Sequence, residues 1–171
     1  ADDDIYAIAV QTEKKIILGG SFTFFGGEAR NYIARINTDG SLDTDFYAEA
    51  DCYVSAIAIQ PDGKILVGGW FTEIGGFERN RIARLWPDGF VDTDFNADAD
   101  NAVLSIALQP DGQILLGGYF TTVNGYMTNG IIRLDEYGGP DYSFYSNVNS
   151  AVYSIALQPD GMIVVGGMFS S

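Results

Sequence analysis

The chain has no histidine, a single cysteine and only nine lysines and arginines among its 171 residues. Without histidine there is no imidazole acid–base group, no His-based triad and no His metal ligand. One thiol permits no intrachain disulfide, so a cytosolic protein and a secreted one without disulfide staples both fit. Cys52 also lacks a histidine to activate it and reads as an inert thiol. Twenty-three carboxylates against nine basic groups leave a net charge of −14. Nucleic acid and anionic membranes both need clustered positive charge, so neither is an expected partner. No apolar run approaches the ~18 residues that cross a bilayer, and membrane insertion is not expected. No helical stripe is present either.

What is abundant is repetition. Gln11, Gln60, Gln109 and Gln158 recur at a constant step of 49 residues. The pairs Gly19-Gly20, Gly68-Gly69, Gly117-Gly118 and Gly166-Gly167 keep the same step. Around them the text is nearly verbatim: residues 56–72 read AIAIQPDGKILVGGWFT and residues 105–121 read SIALQPDGQILLGGYFT. Within each copy, Ala56-Ile57-Ala58-Ile59 and its equivalents alternate small and large apolar residues. A strand points successive side chains to opposite faces, so one face is flat and one bulky. Such strands fit sheets sandwiched between neighbours, bulky face against flat face.

Gln60-Pro61-Asp62-Gly63 and its equivalents form a hairpin turn, in which proline presets one φ and glycine supplies a positive one. The first copy has Thr12-Glu13-Lys14-Lys15 there, so its tip is expected to differ. The double glycine marks a bend, a bulge or close approach of another backbone. Third strands are expected over residues 32–36, 81–85 and 130–134. Asp92-Thr93-Asp94-Phe95 and its equivalents read as a short fourth strand or an outer loop.

Three to four strands in 49 residues is the size of a propeller blade. The fold class is therefore all-β, with three complete propeller-type blades plus a half blade in one repeat domain. Their bounds are about 4–52, 53–101, 102–150 and 151–171. An incomplete ring should be part of a larger assembly, its open edges covered by a longer chain or by neighbouring subunits.

The stretches IAIQPDGKILVGGWFT and RIARLWPDGFVDTDF resemble the delta-60 repeat, a bacterial and phage-associated propeller-type motif, over practically the whole chain. The double glycine closing a strand is also similar to kelch blades. The delta-60 resemblance implies part of a large secreted, cell-surface or virion protein, and it implies no particular activity.

Candidate chemistry has to be separated from blade construction. Arg35, Arg84 and Arg133 recur at one position, and Asp43, Asp92 and Asp141 at another. Residues present in every copy build the copy, and each Arg is expected to pair with an Asp of its own or the next blade. The segment from Asn37 to Asp43 has part of a Ca²⁺-loop spacing, but Arg35 stands where a further carboxylate is needed. Trp86 replaces Asn37 in the second copy, and the third lacks the Asp39 carboxylate. Neither metal nor cofactor is expected. Asp2-Asp3-Asp4 reads as a solvated terminus, and Trp70 as a strand residue filling a gap between blades.

The glycine-rich stretches lack the Lys-Ser/Thr of a phosphate loop, and the many turn carboxylates single out no hydrolytic pair. The expectation is a non-enzymatic binding or scaffolding module. Carboxylate-dependent carbohydrate chemistry and a purely architectural subunit are the alternatives. Residues that vary between copies are the candidates for contact with a glycan or protein partner: Glu28, Phe77, Tyr126 and Met127, all in the loop after the second strand.

Overall fold

The computed structural model describes residues 1–170 and is all-β, with no helix among them. Its strands fall into four equivalent groups. The first blade has β1 (Ile5–Val10), β2 (Ile16–Gly20), a two-residue hairpin of β3 (Phe24–Phe25) and β4 (Glu28–Ala29), and β5 (Ile33–Ile36). The second repeats this as β6 (Val54–Ile59), β7 (Ile65–Gly69), β8 (Glu73–Ile74), β9 (Phe77–Glu78) and β10 (Ile82–Leu85). The third has β11 (Val103–Leu108), β12 (Ile114–Gly118), β13 (Thr122–Val123), β14 (Tyr126–Met127) and β15 (Ile131–Leu134). The partial fourth has β16 (Val152–Leu157) and β17 (Ile163–Gly167).

Each complete blade is an antiparallel sheet in the order inner, middle, outer: β1-β2-β5, β6-β7-β10 and β11-β12-β15. The fourth strand is reduced to one bridge per blade, such as Leu85 with Val91, so the Asp-Thr-Asp-Phe segment is an outer loop. The outer strands begin one residue later than the sequence suggests. Tyr32, Arg81 and Gly130 precede them with φ of 65°, 68° and 68°. Two bulky residues accept the left-handed region that the third copy fills with glycine.

Inner strands pack side by side in the order β1, β6, β11, β16, and each after the first also crosses the middle strand of the blade before it. The double glycine makes this possible, and its two members do different work. A Cβ on Gly19 would lie 2.4 Å from Val54 Cγ1, on Gly68 2.7 Å from Val103 Cγ1, and on Gly117 2.9 Å from Val152 Cγ1. The first glycine therefore leaves bare backbone for a valine of the next blade. On the second glycine, a Cβ would meet the carbonyl oxygen just before the blade's own inner strand, at 2.0 Å for Gly20 and 2.1 Å for Gly69. That carbonyl approaches because the inner strand is bulged at its start, between Ile5 and Ala7 and at each equivalent.

The core lies between blades. Ile17 and Ile33 of the first blade pack with Val54, Ile57, Ile59 and Val67 of the second. Leu66, Ile82 and Ala58 of the second pack with Val103, Ile106 and Leu116 of the third. Leu115, Ile131 and Ala107 then meet Val152, Ile155 and Leu157. Flat alanine faces thus look forward along the array and bulky faces look back.

The first hairpin tip does not differ as its sequence suggests. Lys14 donates its N–H to the Gln11 carbonyl at 2.8 Å, as Gly63 does to Gln60 at 2.9 Å. Lys14 takes φ 66° where Gly63 takes 87°. A lysine at a solvated tip tolerates the left-handed region at modest cost, and the turn is conserved in shape. Asp2 is not a loose terminus either. It accepts hydrogen bonds from the Thr23 N–H, the Thr23 hydroxyl and the Phe24 N–H, each at 2.9 Å. Asp51 and Asp100 repeat this staple on Thr72-Glu73 and Thr121-Thr122. In the fourth unit Asn149 accepts from the Ser170 N–H at 3.2 Å.

A paired substitution tests the glycine assignment. Gly68→Ala drives a methyl into Val103, so it should cost about 1–3 kcal/mol. Gly166→Ala meets no described atom within 4 Å, so it should stay within about 0.5 kcal/mol of wild type. Chemical denaturation of the two variants measures both.

Candidate functional site

The recurrent arginines sit on the outer strands with their side chains closed off from solvent. Arg35 Nε donates to Asp43 Oδ2 at 2.8 Å, and Arg84 Nε to Asp92 Oδ2 at 2.8 Å. Arg133 pairs with Asp141 at 2.7 Å in a more open setting. A lysine adds a second cation in the first two blades, Lys15 at 2.6 Å from Asp43 and Lys64 at 3.1 Å from Asp92. Each guanidinium also lies over the phenylalanine three residues past its aspartate: Phe46 at 4.6 Å, Phe95 at 4.8 Å and Phe144 at 5.0 Å. In the first two blades one more nitrogen crosses to the next blade. Arg35 Nη1 donates to the Pro87 carbonyl and Arg84 Nη1 to the Glu136 carbonyl. These contacts tie each arginine to its own blade and, for Arg35 and Arg84, to the next one.

The carboxylates hold their charge. Burial works against ionisation of Asp92, but hydrogen bonds from Lys64 and the Asp94 N–H, with the Arg84 charge, outweigh it and keep its pKa below the ordinary value. Asp51 and Asp100 are likewise penalised by burial yet held low by their threonine staples. Hydrogen bonds from the Ser143 hydroxyl and N–H, then from Arg133, hold Asp141 down to about 2.

The turn from Asn37 to Asp43 is closed by its own hydrogen bonds. Asp39 Oδ1 accepts from the Ser41 N–H at 2.9 Å and the Ser41 hydroxyl at 2.6 Å. Among the described residues no three His, Cys, Asp or Glu side chains converge as metal ligands do.

The varying residues are spread one blade at a time. Glu28, Phe77 and Tyr126 occupy the same place on three separate short hairpins. Phe77 is 45% exposed, and Met127, one residue past Tyr126, is 83% exposed. Tyr126 instead packs on the second interblade core, its ring 5.2 Å from Tyr142. Trp70 lies one residue beyond β7, half-exposed, with its ring 5.8 Å from Tyr119 rather than inside a gap.

A cleft of about 520 Å³ lies at the junction of the first two blades; none of those four candidate residues lines it, although Gly76, next to Phe77 in the chain, does. It is lined by Arg30 and Asn31 before β5, by Tyr47, Glu49 and Asp51 of the connecting segment, and by Glu73 of the β8 hairpin. Asn31 Nδ2 donates to Glu49 Oε2 at 3.4 Å. Tyr47 stacks on Phe90 at 5.4 Å and 26°. A smaller equivalent, about 340 Å³, recurs one blade on around Arg79, Asn80 and Asp98. Sequence reasoning passed over this cleft because its residues come from three segments. The one available signal was Tyr47, an aromatic with no aromatic counterpart in the second copy, where Asn96 stands.

The family described as "Domain of unknown function (DUF5122) beta-propeller" matches residues 11–46, 60–95 and 109–144. The chain belongs to that family. No curated protein matches it. Among solved structures it is similar to virginiamycin B lyase from Staphylococcus aureus, at 20% identity and TM-score 0.59, over 96% of this chain and 49% of that one. A streptogramin B lyase aligns at 18% identity and TM-score 0.61, over 96% and 48%. So does the extracellular domain of a protein assigned as a one-component system from B. thetaiotaomicron, at 16% identity and TM-score 0.59, over 96% and 20%. The chain thus spans about half the length of the lyases and 20% of the extracellular domain, and at these identities the likeness is one of fold.

These neighbours correct one expectation. The missing histidine and phosphate loop led to a reading of no enzymatic function, yet the neighbours of this fold include enzymes, the two lyases among them. The architecture therefore does not exclude catalysis. The S. aureus lyase is catalytically inactive when one histidine is replaced by alanine, and this chain has no histidine.

Two measurements test the electrostatics. Arg84→Ala leaves the buried Asp92 carboxylate with Lys64 alone as counter-charge, so it should cost about 3 kcal/mol in denaturant unfolding. The staple carboxylates have pKa values depressed on folding. Their contribution is present above the unfolded value of about 3.9 and lost as pH falls through the folded value. Melting temperature should therefore drop below about pH 4. Asp100→Asn should be less stable than wild type at neutral pH, and its stability should change less on acidification.

Proposed function

We propose that this chain is a recognition module that takes a neutral glycan in the cleft between its first two blades. The observation that carries the reading is the lining of that cleft: an amide, an arginine, three carboxylates and the rings of Phe46 and Tyr47, in about 520 Å³. Sugars are bound by planar polar side chains that pair with vicinal hydroxyls and by an aromatic face that covers ring C–H groups. Tyr47 is held in place by stacking on Phe90, which lowers the ordering cost of such a contact. The net charge of −14 favours a neutral ligand over an anionic one.

The delta-60 resemblance and the extracellular neighbour support placing the module in a secreted, cell-surface or virion protein. A second reading rests on Glu49 and Glu73, which line the same cleft. Two carboxylates across a bound glycan are the equipment of glycoside hydrolysis.

An array of neutral glycans followed by calorimetry on the hits tests both. Tyr47→Ala and Asn31→Ala should each weaken binding roughly tenfold or more, and Met127→Ala, on the third blade, should leave it unchanged. Release of sugar on prolonged incubation, lost in Glu73→Gln, would favour the second reading. Absence of any bound glycan, or binding that survives Tyr47→Ala, would overturn the first.

A further inference from the structure

A row of exposed aromatic rings runs along the same end of the sheets as the candidate cleft. Tyr53 stands just before β6 and Trp70 just after β7, where Val54 pairs with Gly69. Tyr119 stands just after β12, one blade on. The Trp70 N–H donates to the Tyr53 carbonyl at 2.8 Å. The Trp70 and Tyr119 rings lie 5.8 Å apart, and Tyr153 flanks Tyr119 at 5.7 Å. Tyr53, Trp70 and Tyr119 are 44%, 39% and 39% exposed. The row begins at the cleft. Tyr32 follows the cleft residue Asn31 in the chain, and its ring lies 5.7 Å from that of Tyr53, two residues past the cleft residue Asp51.

The blade itself does not require these rings. Ser21 and Met168 hold the place of Trp70 and Tyr119 in the other copies. Asp4, Ala102 and Ala151 hold the place of Tyr53, and Arg81 and Gly130 that of Tyr32. Aromatic rings kept in water where the repeat accepts serine, aspartate or alanine mark a contact surface.

We infer that the row extends the cleft, and that the ligand is a long, uncharged polysaccharide lying from the cleft across the second blade onto the third. The inference rests on the glycan reading of the cleft. Successive rings offer apolar faces to successive sugars, and their phenol and indole edges remain for hydroxyls. Tyrosine and tryptophan do this at low ordering cost, because they have few torsions to fix. The carboxylates next to the row are already engaged. Asp51 accepts from the Thr72 N–H, the Thr72 hydroxyl and the Glu73 N–H, and Asp100 does the same on Thr121-Thr122. That favours an uncharged chain over a basic peptide, and the net charge of −14 disfavours a polyanion.

Calorimetry with cello-, xylo- and manno-oligosaccharides, each from disaccharide to octasaccharide, tests this. In a series that binds, affinity should rise roughly tenfold or more from the shortest to the longest. Trp70→Ser and Tyr119→Ser borrow the residue of the first blade. Each should remove most of that gain and leave disaccharide binding unchanged, whereas Tyr47→Ala should weaken every length alike. Circular dichroism checks the fold, and Trp70→Met and Tyr119→Met replace a serine variant that misfolds. Affinity that does not grow with length would overturn the row and leave the cleft reading standing. So would growth that survives both substitutions. Growth lost in Trp70→Ser, beside disaccharide binding that survives Tyr47→Ala, would keep the row and overturn the cleft reading. No binding in any of the three series would overturn both, even if a lysine-rich peptide bound in a Trp70-dependent way.

Discussion

A branched side chain pressed onto bare backbone is the contact on which this array depends. Val54, Val103 and Val152 each stand where a Cβ on the preceding middle strand would collide with them. A sheet carrying ordinary side chains at Gly19, Gly68 and Gly117 would hold the next blade away and open a gap along the interblade core. Interiors are close-packed, and a gap of that kind forfeits both dispersion contacts and dry surface. The second glycine serves the same end from within the blade, by admitting the bulged start of the inner strand. The bulge then sets Val54 and Ile57 on one face despite their odd spacing.

Around that contact the polar groups act as ties between units. Each arginine spends one nitrogen on its own aspartate, rests its plane on a phenylalanine and, in the first two blades, reaches a carbonyl of the next blade's outer turn. A buried cation is costly unless its charge is paired, and here the aspartate pairs it. The same node fixes the segment that runs from one blade to the next, since Asp43 and Phe46 are parts of it. Tyr47 and Glu49 follow at once in the chain, so the wall of the candidate cleft is anchored by the arginine that stabilises the blade.

Much of the fold was legible because the repeat states each requirement several times. The period, the alternation of alanine with isoleucine and the double glycine all describe surfaces shared between copies. The features that escaped were those where one copy meets a shared requirement with an unusual residue. Lys14 takes the backbone conformation that the other copies give to glycine, and Tyr32 and Arg81 take one that only Gly130 advertises. Asp2 looked like one of three terminal acids, and only the equivalence with Asp51 and Asp100 reveals a staple. The cleft was hidden for a different reason. Arg30, Tyr47 and Glu73 are far apart in sequence and come together through packing between blades. Missing residue types were the weakest guide, since a lack of histidine limits one kind of chemistry and says little about a fold whose neighbours include lyases.

The most direct test is a double-mutant cycle across one junction, with Gly68→Ala and Val103→Ala made singly and together. If a methyl on Gly68 collides with Val103, trimming the valine makes room for it. The double variant should then be more stable than the sum of the single effects by about 1 kcal/mol or more. Strict additivity would contradict the account, because it would mean that these two residues do not meet.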